Sequence, residues 1–154
     1  MRTLTFGYSP CPNDTFAFHA LAHGLVDAPF RVEPVLLDIE ELNRRAHEGA
    51  FHLTKLSVGA FAAVGERYRL LRSGAALGHG VGPLVVARTA MPLAEAVRGQ
   101  LAIPGRETTA FRLLSLAAPP GGAQYIDPCP LVEVNVGDHN RVGLLFQPCH
   151  RLKG

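Results

Sequence analysis

The sequence predicts an α/β fold built on a parallel sheet, and three observations predict it. Short apolar strand-like runs alternate with helix-like stretches, and each pair is joined by a turn of Gly, Pro or small polar residues. The same strand–turn–helix unit occurs four times before residue 118. Strands alternating with helices imply right-handed crossovers and hence parallel pairing.

Leu4–Tyr8 alternates like a short strand and runs into the breaker-rich Ser9-Pro-Cys-Pro12. Asn13 or Asp14 is then expected to cap a helix over Thr15–His23, with Phe16, Ala20 and Leu21 on its apolar face and Gly24 as its stop. Arg31–Leu37 reads as the second strand, and Asp38 or Glu40 opens a helix through Ile39, Leu42 and Ala46 towards Gly49. Phe51–Leu56 is the third apolar segment, and Ser57 leads into an Ala-rich helix ending near Gly65. Two extended segments, Tyr68–Leu77 and Pro83–Arg88, follow with the glycine-rich crossover Gly78–Gly82 between them. After a helix-like Pro92–Arg98, Leu101–Pro104 is a buried strand, Gly105 makes the turn, and Thr108 or Thr109 starts a helix over Ala110–Ala117. A lobe change is placed near residue 89, giving a first α/β lobe over 1–88 and the start of a second over 89–154.

From Pro119 onward the character changes. Five of the twelve prolines fall in this stretch, and Leu131–Val136 is its one strand candidate. A sheet face without a covering helix is hard to stabilise. The expectation is an irregular tail from about residue 118, arising from a shifted reading frame or a truncated end.

Composition narrows the function classes. In 154 residues, 47% are hydrophobic and 18% charged, as in folded globular proteins. A net charge of +2 with scattered Lys and Arg leaves no footprint for a nucleic acid. No run reaches the roughly 18 apolar residues of a membrane span, and the broken N-terminal run is too short for an export signal. Three cysteines, Cys11, Cys129 and Cys149, make no disulfide framework. A cytoplasmic location is the expectation.

The chemistry-bearing pattern is a strand, a tight turn and a small polar residue at a helix start: Ser9 to Asp14, Ser57, and Thr108-Thr109. In open parallel sheets ligands bind beyond the carboxyl ends of the strands, where such turns gather. Helix N-termini there offer unpaired N–H groups to a carboxylate or phosphate. Each residue read alone is more simply an ordinary helix cap, and only the three together set a ligand-binding role level with that reading. His19 and His23 share a helix face as a metal pair would, but lack a third ligand; a surface or packing role is the simpler one. Cys11 precedes a helix start, where thiols can become reactive, but has no histidine partner and reads as a polar loop thiol. Cys129 and the Cys149-His150 pair lack zinc spacing. Asp14 is a candidate acid or base, with helix capping as its plainer role.

Ser9-Pro-Cys-Pro-Asn-Asp-Thr-Phe16, Thr54-Lys-Leu-Ser57, the Gly78–Val86 crossover and Pro104-Gly-Arg-Glu-Thr-Thr-Ala110 resemble, in order and with compatible spacing, signature segments of the 1,4-dihydroxy-6-naphthoate synthase family. The resemblance covers residues 3 to about 117. It implies a type II periplasmic-binding-protein-like fold of two α/β lobes, with the second lobe expected to be incomplete. It also implies cleavage of cyclic dehypoxanthinyl futalosine to 1,4-dihydroxy-6-naphthoate in menaquinone biosynthesis, a carbon–carbon lyase step without metal or redox cofactor. The partner is then a small-molecule carboxylate substrate, and a homodimer is compatible with the family. By motif, Asn43, Ser57, Thr109 and Ala110 resemble ligand-holding residues, with Thr108 their neighbour. Ser9, Cys11 and Asn13 would line the first lobe's wall, joined by Lys55. The family's histidine base lies in an Ile-His-Glu segment, which Gly143-Leu-Leu-Phe-Gln-Pro-Cys-His150 does not contain. Neither His139 nor His150 receives that role. A non-catalytic carboxylate-binding module on the same scaffold is the alternative.

Overall fold

The structure is a computed structural model that describes residues 1–76, 83–87 and 89–118, together with the strands at 124–126 and 141–145. It divides into two compact units, Met1–Leu77 and Gly78–Gly154.

The first unit is the expected parallel α/β arrangement. Its three-stranded sheet has β1 (Arg2–Tyr8) at the centre, β2 (Phe30–Leu36) on one side and β3 (Leu53–Thr54) on the other, both parallel to it. Centrality explains why Phe6, Gly7 and Tyr8 are all buried where an alternating pattern would bury every second residue. At Gly7 an added Cβ would meet Leu42 Cδ2 at 2.8 Å and the Phe51 ring at 3.2 Å, so helix and strand approach more closely than a side chain allows. Pro34 has no N–H to donate, which suits β2, paired with β1 alone among the described residues.

Helix α1 (Pro12–Ala22) begins earlier than expected, because Cys11 occupies the cap position and Pro12 the first helical one. Neither Asn13 nor Asp14 is the cap. The inward face also differs: Phe16 is 87% exposed, whereas Phe18 packs edge-on against Phe6 at 4.8 Å and against Tyr8 at 5.4 Å. Asp14 is buried and Phe18 lies one turn beyond it, on the same side of the helix.

Helix α2 (Ile39–His47) is capped by Asp38, whose side chain accepts the Glu40 and Glu41 N–H groups, both at 3.0 Å. Both helices end on a left-handed glycine, Gly24 (φ 66°) and Gly49 (φ 68°). Leu25 N–H donates to Ala20 O and Ala50 N–H to Arg45 O, closing each end as a Schellman turn. Helix α3 (Val58–Val64) follows β3. Leu42, Ala46, Phe51, Ala60 and Val64 complete the buried set around β1. The segment expected as a strand from Tyr68 has no strand over residues 68–76. Instead the Tyr68 hydroxyl donates to Phe51 O at 3.0 Å.

In the second unit, β4 (Leu84–Val86), α4 (Leu93–Ala96), β5 (Gln100–Ala102) and α5 (Thr109–Ala117) precede β6 (Gln124–Ile126) and β7 (Arg141–Leu145). The strand order is β4-β7-β5-β6, with β5 parallel to β6 and β7, and β4 antiparallel to β7. Two strands therefore lie in the stretch expected to be an irregular tail, on both sides of β5, where each finds main-chain partners. The segment 84–86, assigned from sequence to the first lobe, is hydrogen-bonded within this second sheet. Ala96, Val97, Leu101, Ile103, Ala110 and Leu114 form its core. Gly78–Gly82, Cys129, Leu131–Val136, His139, Cys149 and His150 lie outside the described residues.

Candidate functional site

In the first unit the polar residues gather just past the carboxyl ends of β1 and β3. Beyond β1 the chain bends at Pro10 and Cys11, and Asp14 reaches back from the first turn of α1. Asp14 Oδ2 accepts the Ser9 hydroxyl at 2.8 Å and the Ser9 N–H at 3.3 Å. The Ser9 oxygen in turn accepts the Cys11 N–H at 3.4 Å. Cys11 is a half-buried free thiol, and Asn13 is half-buried in the first turn of α1.

Beyond β3, the Lys55 N–H donates to Gly7 O at 2.7 Å, extending the β1–β3 pairing by one bond. Its ammonium lies 3.6 Å from Asp14 Oδ1 and donates to Gly74 O at 2.9 Å. Ser57 holds the cap position of α3, yet its side chain makes no capping bond. It is bonded to Asn43 of α2: Asn43 Nδ2 donates to Ser57 Oγ at 3.1 Å, and Ser57 N–H donates to Asn43 Oδ1 at 2.9 Å. Asn43 has no exposed surface and also donates to Glu40 Oε2 at 3.3 Å. A hydroxyl oxygen that accepts from Asn43 keeps its own proton to donate. Ser57 can therefore hydrogen-bond to an acceptor such as a carboxylate.

In the second unit, Gly105 (φ 135°) turns the chain out of β5. Thr108 caps α5 by accepting the Phe111 N–H at 3.3 Å while donating to Gly105 O at 2.7 Å. Thr108 is thus committed to the turn. Thr109, half-buried, and Ala110, fully buried, start the helix.

Sequence reasoning missed Gly74, Phe18 and Glu40 as partners of these residues. Gly74 and Phe18 carry no local signal for this role, while Glu40 was visible only as a possible helix start. The His19 and His23 rings lie 4.4 Å apart, and among the described residues no group of three or more His, Cys, Asp or Glu could hold a metal ion. Among the same residues no helix is long and apolar enough to cross a membrane.

Parallel strands whose carboxyl-end turns carry buffered hydroxyl and amide donors define an α/β protein with a polar site at its strand ends. Comparison with known proteins makes the class particular. The sequence profile described as menaquinone biosynthesis matches residues 4–145, past the position near 118 where the sequence changes character. The chain belongs to that family. It is 59% identical over 118 residues to a 1,4-dihydroxy-6-naphthoate synthase of Thermus thermophilus, covering 77% of this chain and 43% of that protein. It is 40% identical over 136 residues to a protein of the same name from Streptomyces coelicolor, covering 86% and 47%. Among solved structures, protein AF1704 from Archaeoglobus fulgidus superimposes with a TM-score of 0.74 at 36% identity, over 82% of this chain and 46% of that one. The chain thus spans about half the length of the curated relatives it matches.

Proposed function

We propose that this protein is a carbon–carbon lyase of menaquinone biosynthesis that cleaves cyclic dehypoxanthinyl futalosine to 1,4-dihydroxy-6-naphthoate. The observation that carries the reading is the 59% identity to a relative bearing the synthase name. The geometry supports it at one point in particular. The buried Asn43 amide holds Ser57 so that its hydroxyl proton remains available to a carboxylate acceptor. On this reading Asn43 orients and Ser57 binds, while Thr109 and Ala110 at the start of α5 contribute the second unit's ligand contacts. The scaffold is a two-lobed periplasmic-binding-protein-like one, working in the cytoplasm on a small carboxylate.

The test is incubation with cyclic dehypoxanthinyl futalosine and detection of the naphthoate. Product formation is expected, and Ser57→Ala and Thr109→Ala each weaken binding of 1,4-dihydroxy-6-naphthoate. Binding without turnover would favour a carboxylate-binding module instead. Neither binding nor turnover would sink the reading.

A further inference from the structure

Asp14 is 6% exposed, and both of its oxygens are engaged. Oδ2 holds the Ser9 turn through two hydrogen bonds, and Oδ1 faces the Lys55 ammonium at 3.6 Å. A carboxylate taken out of water is stable only when paired and hydrogen-bonded, and Lys55 supplies the positive charge. Lys55 is itself fixed from three directions. Its N–H is bonded to Gly7 O, its ammonium to Gly74 O, and that ammonium lies 6.0 Å from the centre of the Phe18 ring. A continuous polar chain therefore runs from Gly74 through Lys55, Asp14 and Ser9 to the Cys11 N–H. Within it, the Ser9 hydroxyl gives its only proton to Asp14, so Ser9 has no hydroxyl proton left for a ligand.

We infer that Asp14 and Lys55 are positioning residues, an ion pair that locks the Ser9–Cys11 turn over the carboxyl end of β1. They act on the site through that turn and do not bind the substrate themselves. In its functional consequence the inference rests on the proposed activity; in its structural content it does not. Lys55 has the charge to receive a substrate carboxylate, but its ammonium already faces Asp14 and Gly74.

Amide hydrogen exchange on the full chain tests this without any ligand. Lys55→Met should speed exchange of the Ser9 and Cys11 amides about tenfold while the Leu42 amide of α2 keeps its protection, and Lys55→Arg should restore the slow rates. Unchanged exchange at Ser9 and Cys11, or a uniform rise across the first unit, would overturn the inference. Asp14→Asn reads the same two amides and leaves unpaired only the Lys55 ammonium, on a side chain 20% exposed against 8% for Asp14, which covers a Lys55→Met chain that fails to fold. Affinity for 1,4-dihydroxy-6-naphthoate then separates positioning from contact. Asp14→Asn should weaken binding, and Lys55→Arg should retain it. Weaker binding in Lys55→Met with Ser9 and Cys11 still protected would make Lys55 a ligand contact and overturn the assignment. A wild-type chain that neither binds nor turns over would sink the proposed function, and the exchange data would still judge the pair.

Discussion

Asn43 shows how much one side chain can decide. It is fully buried, and it satisfies both the N–H and the hydroxyl oxygen of Ser57 while donating to Glu40. Asn43→Ala would leave the Ser57 N–H without its partner, a defect costing about 1–3 kcal/mol. Urea unfolding should show that loss, and naphthoate binding should weaken with it. Gly7 is the opposite case, a residue needed for what it lacks. Gly7→Ala forces a methyl against Leu42 and Phe51, and overpacking of this kind costs about 1–3 kcal/mol. A variant as stable as the parent in urea would show that α2 can move away at little cost. From sequence Ser57 reads as a helix cap, and its position is that of a cap. Its bond to Asn43, fourteen positions away in the chain, has no local signature. Phe16 and Phe18 present the same difficulty, since both suit a helix and only the sheet beneath chooses between them.

At the scale of elements, helix boundaries follow local chemistry. Asp38 and Thr108 are the caps, each the first of two neighbouring candidates in the sequence, and Gly24 and Gly49 end their helices by adopting a conformation that other residues avoid. The cap of α1 was less legible, because Pro12 can start a helix as readily as the polar residues after it. Helix α2 also carries a charge cluster on its outer face. Glu41 accepts from Arg44 at 2.8 Å and from Arg45 at 2.6 Å, while Arg44 also reaches Glu48. Hydrogen bonds from the two guanidinium groups hold the Glu41 carboxyl well below its usual range, at about 2. The folded state therefore favours the charged form. The resulting stabilisation is fully present above the ordinary value of 4.5 and is lost as pH falls through about 2. The pairs are exposed, so salt weakens them and their contribution to stability is small. An NMR titration should place the Glu41 midpoint near 2 at low salt, moving up towards 4.5 in Arg44→Gln. A midpoint near 4.5 in the parent would mean the pairs do not persist in solution.

For the whole molecule, each unit has a strand set between two others: β1 between β2 and β3 in the first, and β5 between β7 and β6 in the second. Leu101 has no exposed surface within the second unit's core, whereas Leu116 on α5 is 84% exposed. Leu101→Ala should cost that unit about 2–5 kcal/mol, and Leu116→Ser should stay within about 0.5 kcal/mol. Chemical denaturation followed by exchange at the β5 amides would check both, and equal effects would contradict the core assignment. The sequence by itself determined the α/β class, the order of elements as far as α5 apart from the strand expected from Tyr68, the glycine stops and the motifs that mark the family. These depend on neighbours a few positions apart: apolar period, cap chemistry and the conformational freedom of glycine. Tertiary structure alone decided that Phe18 faces the sheet, that β4 joins β7, and that β6 and β7 flank β5. It also decided that Asp14 and Ser57 answer to Lys55 and Asn43. Such pairings are chosen by burial and by the need to partner every buried polar group, between residues that meet only once the strands are side by side.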